Sequence, residues 1–290
     1  MKQITYTNEY GESITFGRVP PLVLEDIDAN SVGTSSSASK AIGQNGQTTS
    51  GITYNPRTII LNLSYKGVRN GKWSESEARE IYQRIARVFL LRRNGLLEYT
   101  NSAGDYKIQC RPLELPDPEH VAGQVYRLRF EMLADNPFWL TSRPFRFRLG
   151  IVEGGKRYPL RYPLRFGTWI KEANIINDTL LYTPMTITVS GTADYIEISN
   201  TKTGEYIRVL VPVAENEKMV IWTGDEPYVE LITYDEFGQE VGREFANYKL
   251  DLGSRYLQLA PGENNFVLDN GYPSILPLTV IEYYQYHQGV

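Results

Sequence analysis

The sequence predicts a mainly β protein built from two β-sandwich-type domains, on three observations. Short runs rich in Val, Ile, Tyr and Thr recur along all 290 residues, one segment alone has convincing helical periodicity, and the two parts of the chain differ in charge. Strand-like runs occupy residues 14–16, 58–65, 125–133, 186–189, 206–213 and 229–234, where β-branched and aromatic residues suit a pleated, half-buried surface. In 58–65 the alternation places Ile59, Leu61, Leu63 and Tyr65 on one face, the pattern of a strand with one side against a core. Residues 1–173 carry a net charge of +7 and residues 174–290 one of −11, which suits two domains with unlike surfaces, the asymmetry serving either head-to-tail attraction between copies or simply the solubility of each half.

The helix is expected to begin at Ser74. Ser74 and Glu77 have the spacing of a capping box, in which each side chain satisfies the other residue's amide. Ala78, Ile81, Tyr82, Ile85, Val88 and Phe89 then recur at helical spacing, while Arg79, Glu80, Gln83, Arg84 and Arg87 fall on the other side. Arg92 and Arg93 suit the negative end, and Asn94-Gly95 supplies a left-handed stop. Between Asp28 and Pro56 the composition turns to Ser, Thr, Gly, Asn and Gln, which predicts a long loop with little to bury, either a floppy surface insertion or, in an oligomer, an arm ordered against a neighbour. The doubled tetrapeptide Pro159-Leu160-Arg161-Tyr162 and Pro163-Leu164-Arg165-Phe166 follows Asn136-Pro137-Phe138-Trp139, and together they mark a junction of extended edge character. Domains 1–141 and 142–290 follow from it. Beyond the junction, Thr223-Gly224-Asp225, Phe237-Gly238, Pro261-Gly262 and Asp269-Asn270-Gly271 punctuate strands without a helix, as in an antiparallel sandwich or jelly roll.

Several chemistries are poorly supplied. Mean hydropathy is −0.36. The opening residues lack an apolar signal core and no stretch reaches the length a spanning helix needs, so no membrane association is expected. Cys110 is the only cysteine, and His120 and His287 are the only histidines, so a metal site or a nucleophile–base pair is not expected. Asp225, Glu226, Glu230, Asp235, Glu236 and Glu240 offer carboxylates for glycoside hydrolysis, but acids beside turns are ordinarily solvated, and neither an enzyme nor a cofactor is expected. Trp222, Tyr228 and Tyr234 form a candidate saccharide-stacking platform, although the same rings suit a sandwich core, which is the preferred reading. Arg143, Arg146, Arg148, Lys156, Arg157, Arg161 and Arg165 form the most basic stretch. With a pI near 5.5 and no phosphate loop or zinc-finger spacing, intersubunit salt bridges are a better use for it than sequence-specific nucleic-acid binding.

The order of several segments resembles the distal tail protein family of long-tailed phages. These are Tyr6-Thr7-Asn8-Glu9-Tyr10-Gly11-Glu12-Ser13, Gly43-Gln44-Asn45-Gly46 with Asn55-Pro56-Arg57-Thr58-Ile59, the helix from Ser74, the two junction motifs, Asn200-Thr201-Lys202-Thr203-Gly204-Glu205 and Leu259-Ala260-Pro261-Gly262-Glu263-Asn264. The resemblance implies a ring-forming N-terminal domain, a galectin-like C-terminal sandwich and a hexamer without catalytic activity. Such a ring would join the tail tube protein to the tail-associated hub or lysin protein, beside the tape measure protein and a receptor-binding protein. It would sit at the tail tip of the virion after assembly in the bacterial cytoplasm. Interface candidates are Lys40, Gln44 and Asn45 in the 31–51 loop, Arg84 and Arg87 on the helix, and Arg161 and Arg165. The alternative is an adhesin module that recognises host cell-wall saccharide through the Trp222 platform.

Overall fold

A computed structural model describes residues 2–69, 72–121, 124–153, 168–271 and 276–290. The chain divides into two compact units, Met1–Ser142 with His287–Val290, and Arg143–Tyr286. The division drawn from the sequence leaves those last four residues with the second domain; in the structure they cluster with the first.

In the first unit the strands are β1 (Gln3–Asn8), β2 (Ser13–Phe16), β3 (Leu22–Asp28), β4 (Thr34–Ser39), β5 (Thr48–Tyr54), β6 (Arg57–Tyr65), β7 (Val68–Arg69) and β8 (Lys72–Trp73). After helix α1 (Glu75–Val88) come β9 (Gly95–Thr100), β10 (Asp105–Pro112), β11 (Glu119–Val121), β12 (Val125–Ala134) and β13 (Trp139–Thr141). The main sheet runs β2-β1-β9-β10-β12-β6-β3. It turns from one layer to the other within β10: Asp105–Cys110 pair with β9, whereas Arg111 and Pro112 pair with Leu133 and Met132 of β12. The expected face of β6 is the buried one, with Ile59, Leu61, Leu63 and Tyr65 all in the core.

The α1 helix closes this core because its apolar stripe has aromatic partners on both layers. Phe89, its C-cap, stacks on Tyr6 of β1 at 4.6 Å and on Phe130 of β12 at 4.2 Å between centroids. Half of the expected capping box forms: Ser74 Oγ accepts from the Glu77 amide, but the Ser74 amide donates to the Gly67 carbonyl and so leaves Glu77 no reciprocal role. The stop also differs from expectation. The helix ends at Val88, Arg92 takes the left-handed conformation (φ 64°), and Gly95 opens β9 opposite Asn8. Glycine is needed there for space, since a Cβ would lie 2.5 Å from the Tyr6 ring.

The second unit contains β14 (Phe145–Leu149), β15 (Ile151–Glu153), β16 (Thr168–Ile170), β17 (Glu172–Asn177), β18 (Met185–Ser190), β19 (Ile196–Asn200) and β20 (Glu205–Val209). These are followed by β21 (Glu217–Trp222), β22 (Tyr228–Tyr234), β23 (Glu240–Phe245), β24 (Gly262–Asp269) and β25 (Leu278–Tyr283). A six-stranded sheet, β14-β25-β18-β21-β22-β23, and a four-stranded sheet, β17-β24-β19-β20, share one core that includes Ile187, Ile198, Met219, Ile221, Phe266 and Ile281. Pairing is antiparallel throughout, as the regular turns predicted. Asn264, buried between these strands, donates to the Ala260 and Gly262 carbonyls while its Oδ1 accepts from the Asn200 side chain and the Ala260 amide. An apolar residue would leave those backbone groups unpaired.

The chain's last strand, β26 (Tyr286–His287), pairs with β13. Arg57, fully buried, holds that end in place within the first unit. Its Nε donates to the Pro137 carbonyl at 2.6 Å, its Nη1 to the Ala29 carbonyl at 2.5 Å, and its Nη2 to the Gln288 carbonyl. Burial holds the guanidinium below its ordinary pKa, with Asp28 opposing that shift. The Val290 amide adds a bond to Asn30 Oδ1 at 2.8 Å.

Candidate assembly surfaces

The 28–56 segment is a hairpin, not the loop its composition predicts. Its strands β4 and β5 pair from Thr34–Tyr54 to Ser39–Thr48, and every residue of both is exposed. Serine and threonine lower the burial signal but do not prevent the ladder: β-branched Thr and Ile tolerate the pleat, and the backbone bonds are indifferent to side-chain polarity. Ile52 is 68% exposed and Ile42, near the tip, is fully exposed.

The three arm candidates play different parts. Lys40 and Asn45 are exposed. Gln44 instead organises the tip, its Oε1 accepting from the Ala41 amide and its Nε2 donating to Thr48 Oγ1, each at 2.9 Å. On α1, Arg84 and Arg87 are both exposed and border a depression of about 340 Å³ with Glu12, Ser13 and Val88. Arg87 is ion-paired to Glu12, and Arg84 makes no ion pair among the described residues. Arg161 and Arg165, with Lys156, Arg157 and the doubled tetrapeptide, lie outside the described residues. Arg146 of the same basic stretch pairs across the strands with Glu282 at 2.5 Å.

The aromatic trio separates. Trp222 and Tyr228 are directly opposite one another on β21 and β22, on the face away from core residues Ile221 and Val229. Trp222 is pinned by its Nε1 donating to the Asp225 carbonyl at 3.0 Å, with its ring so close over Gly224 that a Cβ there would meet it at 2.3 Å. Tyr234 lies at the other end of β22, roughly 20 Å away along the strand. There it faces Lys218, whose Nζ is 4.5 Å from the ring centroid. These rings are half-buried on the outward face, so they are not the core residues that the preferred reading made them.

The ionisable groups have structural employment. Asp235 Oδ1 caps a turn by accepting from the Phe237 and Gln239 amides, and Glu230 and Glu240 both pair with Arg243. Burial pushes the Cys110 thiol well above its ordinary range, which removes the thiolate that nucleophilic chemistry requires. His287 is held below its ordinary pKa by burial and meets the Tyr106 ring edge-on at 5.2 Å. Among the described residues no group of three or more His, Cys, Asp or Glu side chains is placed to hold a metal ion, and no helix is long and apolar enough to cross a membrane. Arg57 was missed by sequence reasoning, because an arginine heading an apolar strand carries no local sign that three distant carbonyls will surround it.

Comparison with known proteins finds a partial family match and a full-length likeness of fold. No characterised protein sequence matches the chain. Residues 179–284 match the family described as the siphovirus-type tail component, C-terminal domain. Among solved structures, Dit of phage SPP1, described as a paradigm of the hub adsorption apparatus in phages infecting Gram-positive bacteria, aligns with a TM-score of 0.65 at 11% identity over 98% of this chain and 99% of that one. A chain of the phage P2 baseplate, in its activated conformation with calcium, aligns with a TM-score of 0.55 at 10% identity over the full length of both, and the strontium form gives 0.54 at 11%. Residues 179–284 of the second unit are thus similar to the siphovirus-type tail component domain, and from end to end the chain has the fold of SPP1 Dit.

Proposed function

We propose that this protein is the distal tail, or baseplate hub, component of a long-tailed phage, with six copies closing a ring through the 1–141 domain. The 142–290 domain, galectin-like in the resemblance, faces the adsorption apparatus. The ring joins the tail tube to the tail-associated hub or lysin protein, contacts the tape measure protein, and carries a receptor-binding protein. The role is structural, located in the virion tail tip after assembly in the host cytoplasm. The observation that carries this reading is the end-to-end alignment with a phage hub protein at a TM-score of 0.65. An arm exposed on all sides supports it, because a two-stranded ribbon is marginal without something to pack against. Heterologous contacts repeated around an axis would close such copies into a ring. Light scattering after size exclusion, with negative-stain microscopy of the same peak, tests it. A closed ring with a central channel is expected, and a chain that stays monomeric even with tail-tube rings present would overturn it.

The second reading is saccharide binding by the second unit, favoured by one observation: Trp222 is locked in place beside Tyr228 on an outward face. Titrating the full chain with host wall polysaccharide tests it. Binding that is lost in Trp222→Ala supports the reading, and no binding by the unaltered chain removes it.

A further inference from the structure

The arm of the first unit is anchored at its base, where Tyr54 meets Phe138 edge-on at 5.0 Å between centroids, but its tip is exposed, and the same unit contains a groove with carboxylates unpaired among the described residues. The groove, about 570 Å³, lies along the outward side of β3, β6 and β12 and is bounded by the segment from Glu114 to Glu119. Two of its cations are already engaged, Arg127 with Glu25 at 3.0 Å and Arg129 with Glu131 at 3.6 Å. Glu114, Asp117 and Glu119 also line it, all are exposed, and none makes an ion pair among the described residues. Leu115 and Pro116 lie between them and add apolar surface. These carboxylates do not converge as a metal-ligand set.

The arm has the complementary chemistry. From residue 31 to residue 56 the only charged side chain is Lys40, and the fully exposed Ile42 is two residues on. Strands of six and seven residues carry this tip roughly 20 Å from their base. Within its own chain the arm does not line the groove.

We propose that the tip of the β4–β5 arm docks into the acidic groove of a second copy of this chain, Lys40 meeting Glu114, Asp117 and Glu119 while Ile42 covers Leu115 and Pro116. This rests on the ring reading and specifies which surfaces meet in it. The contact is heterologous, one copy giving its arm and the next its groove, so repetition leaves neither unused.

Exchange of charge in the full-length chain tests the pairing, read by light scattering over a concentration series. Lys40→Glu, and separately the triple variant Glu114→Lys, Asp117→Lys, Glu119→Lys, should each assemble about tenfold or more weakly than the unaltered chain. All the altered residues are exposed, so at concentrations low enough that every chain is monomeric the thermal unfolding of each variant should match that of the unaltered chain. An equimolar mixture should recover assembly, because the altered arm then meets the altered groove and the unaltered arm the unaltered groove, alternately around a six-membered ring. Full assembly by Lys40→Glu alone, or a mixture that does not recover, overturns the arm-to-groove contact and leaves the ring reading standing. An unaltered chain that remains monomeric throughout, with or without tail-tube rings, overturns both.

Discussion

Two hairpins of this protein have the same kind of backbone ladder and opposite surroundings. β21–β22 buries Met219, Ile221 and Val229 against the opposite sheet of the second unit, whereas β4–β5 has no buried residue and packs only at its base, Tyr54 against Phe138. Hydrogen bonding by itself therefore does not say whether a hairpin belongs to a core. The difference lies in side chains: alternating apolar residues recover enough hydration free energy to offset the ordering of the chain, and a Ser/Thr ribbon does not. A ribbon of the second kind gains little from its own chain, which is why the proposed assembly gives the arm a partner.

Substitutions can break or sharpen that contrast. The largest effect is expected in the first unit's core, where Phe130→Ala removes the ring stacked on Phe89 and should cost about 3–5 kcal/mol of stability in denaturant unfolding. Arg57→Ala should cost about 3 kcal/mol, because three carbonyls lose their donor, and Arg57→Lys should recover little, since an ammonium cannot span positions matched by a planar fork. Alkaline titration should reveal Tyr65, whose phenol burial pushes up to about 12. A pKa raised by folding means the stabilisation is complete below the unfolded value near 10 and is lost as pH rises from 10 through 12. The loss from Tyr65 should approach about 2.7 kcal/mol, and Tyr65→Phe should make that part of the profile shallower, with the buried Tyr6, whose pKa is also raised, accounting for part of the slope that remains. Smallest is Ile52→Ala on the arm, within about 0.5 kcal/mol for the isolated chain. A cost for Ile52→Ala comparable to that for Phe130→Ala would mean the arm is packed in solution and would erase the contrast.

Much of the fold was legible because its signals are local. The alternation in 58–65 predicted the buried face of β6 residue by residue, and the helical stripe from Ala78 to Phe89 placed α1 on a sheet. Where a local signal met a competing partner it misled: Ser74 uses its amide on Gly67, and Gly95 is a strand residue chosen for closeness to Tyr6. The candidate surfaces were less legible. Lys40, Arg84 and Trp222 stood out as residue types in exposed or turn-rich contexts, but Gln44 belongs to the arm's own tip, and Tyr234 is a strand's length from Trp222. The acidic groove escaped notice because Glu25, Glu114 and Arg127 are far apart in sequence and meet only when β3, the 114–119 segment and β12 are brought side by side.

The sequence by itself determined the β class, the single helix, the turns and the polar character of the arm. Each depends on residues a few positions apart, whose periodicity and backbone preference act before any long-range contact forms. Only the tertiary structure decided that the arm is a hairpin, that Arg57 ties Ala29, Pro137 and Gln288 together, and that His287–Val290 completes the first unit. Those outcomes depend on which buried carbonyls lack donors and which surfaces lack partners, and both are properties of the folded chain as a whole.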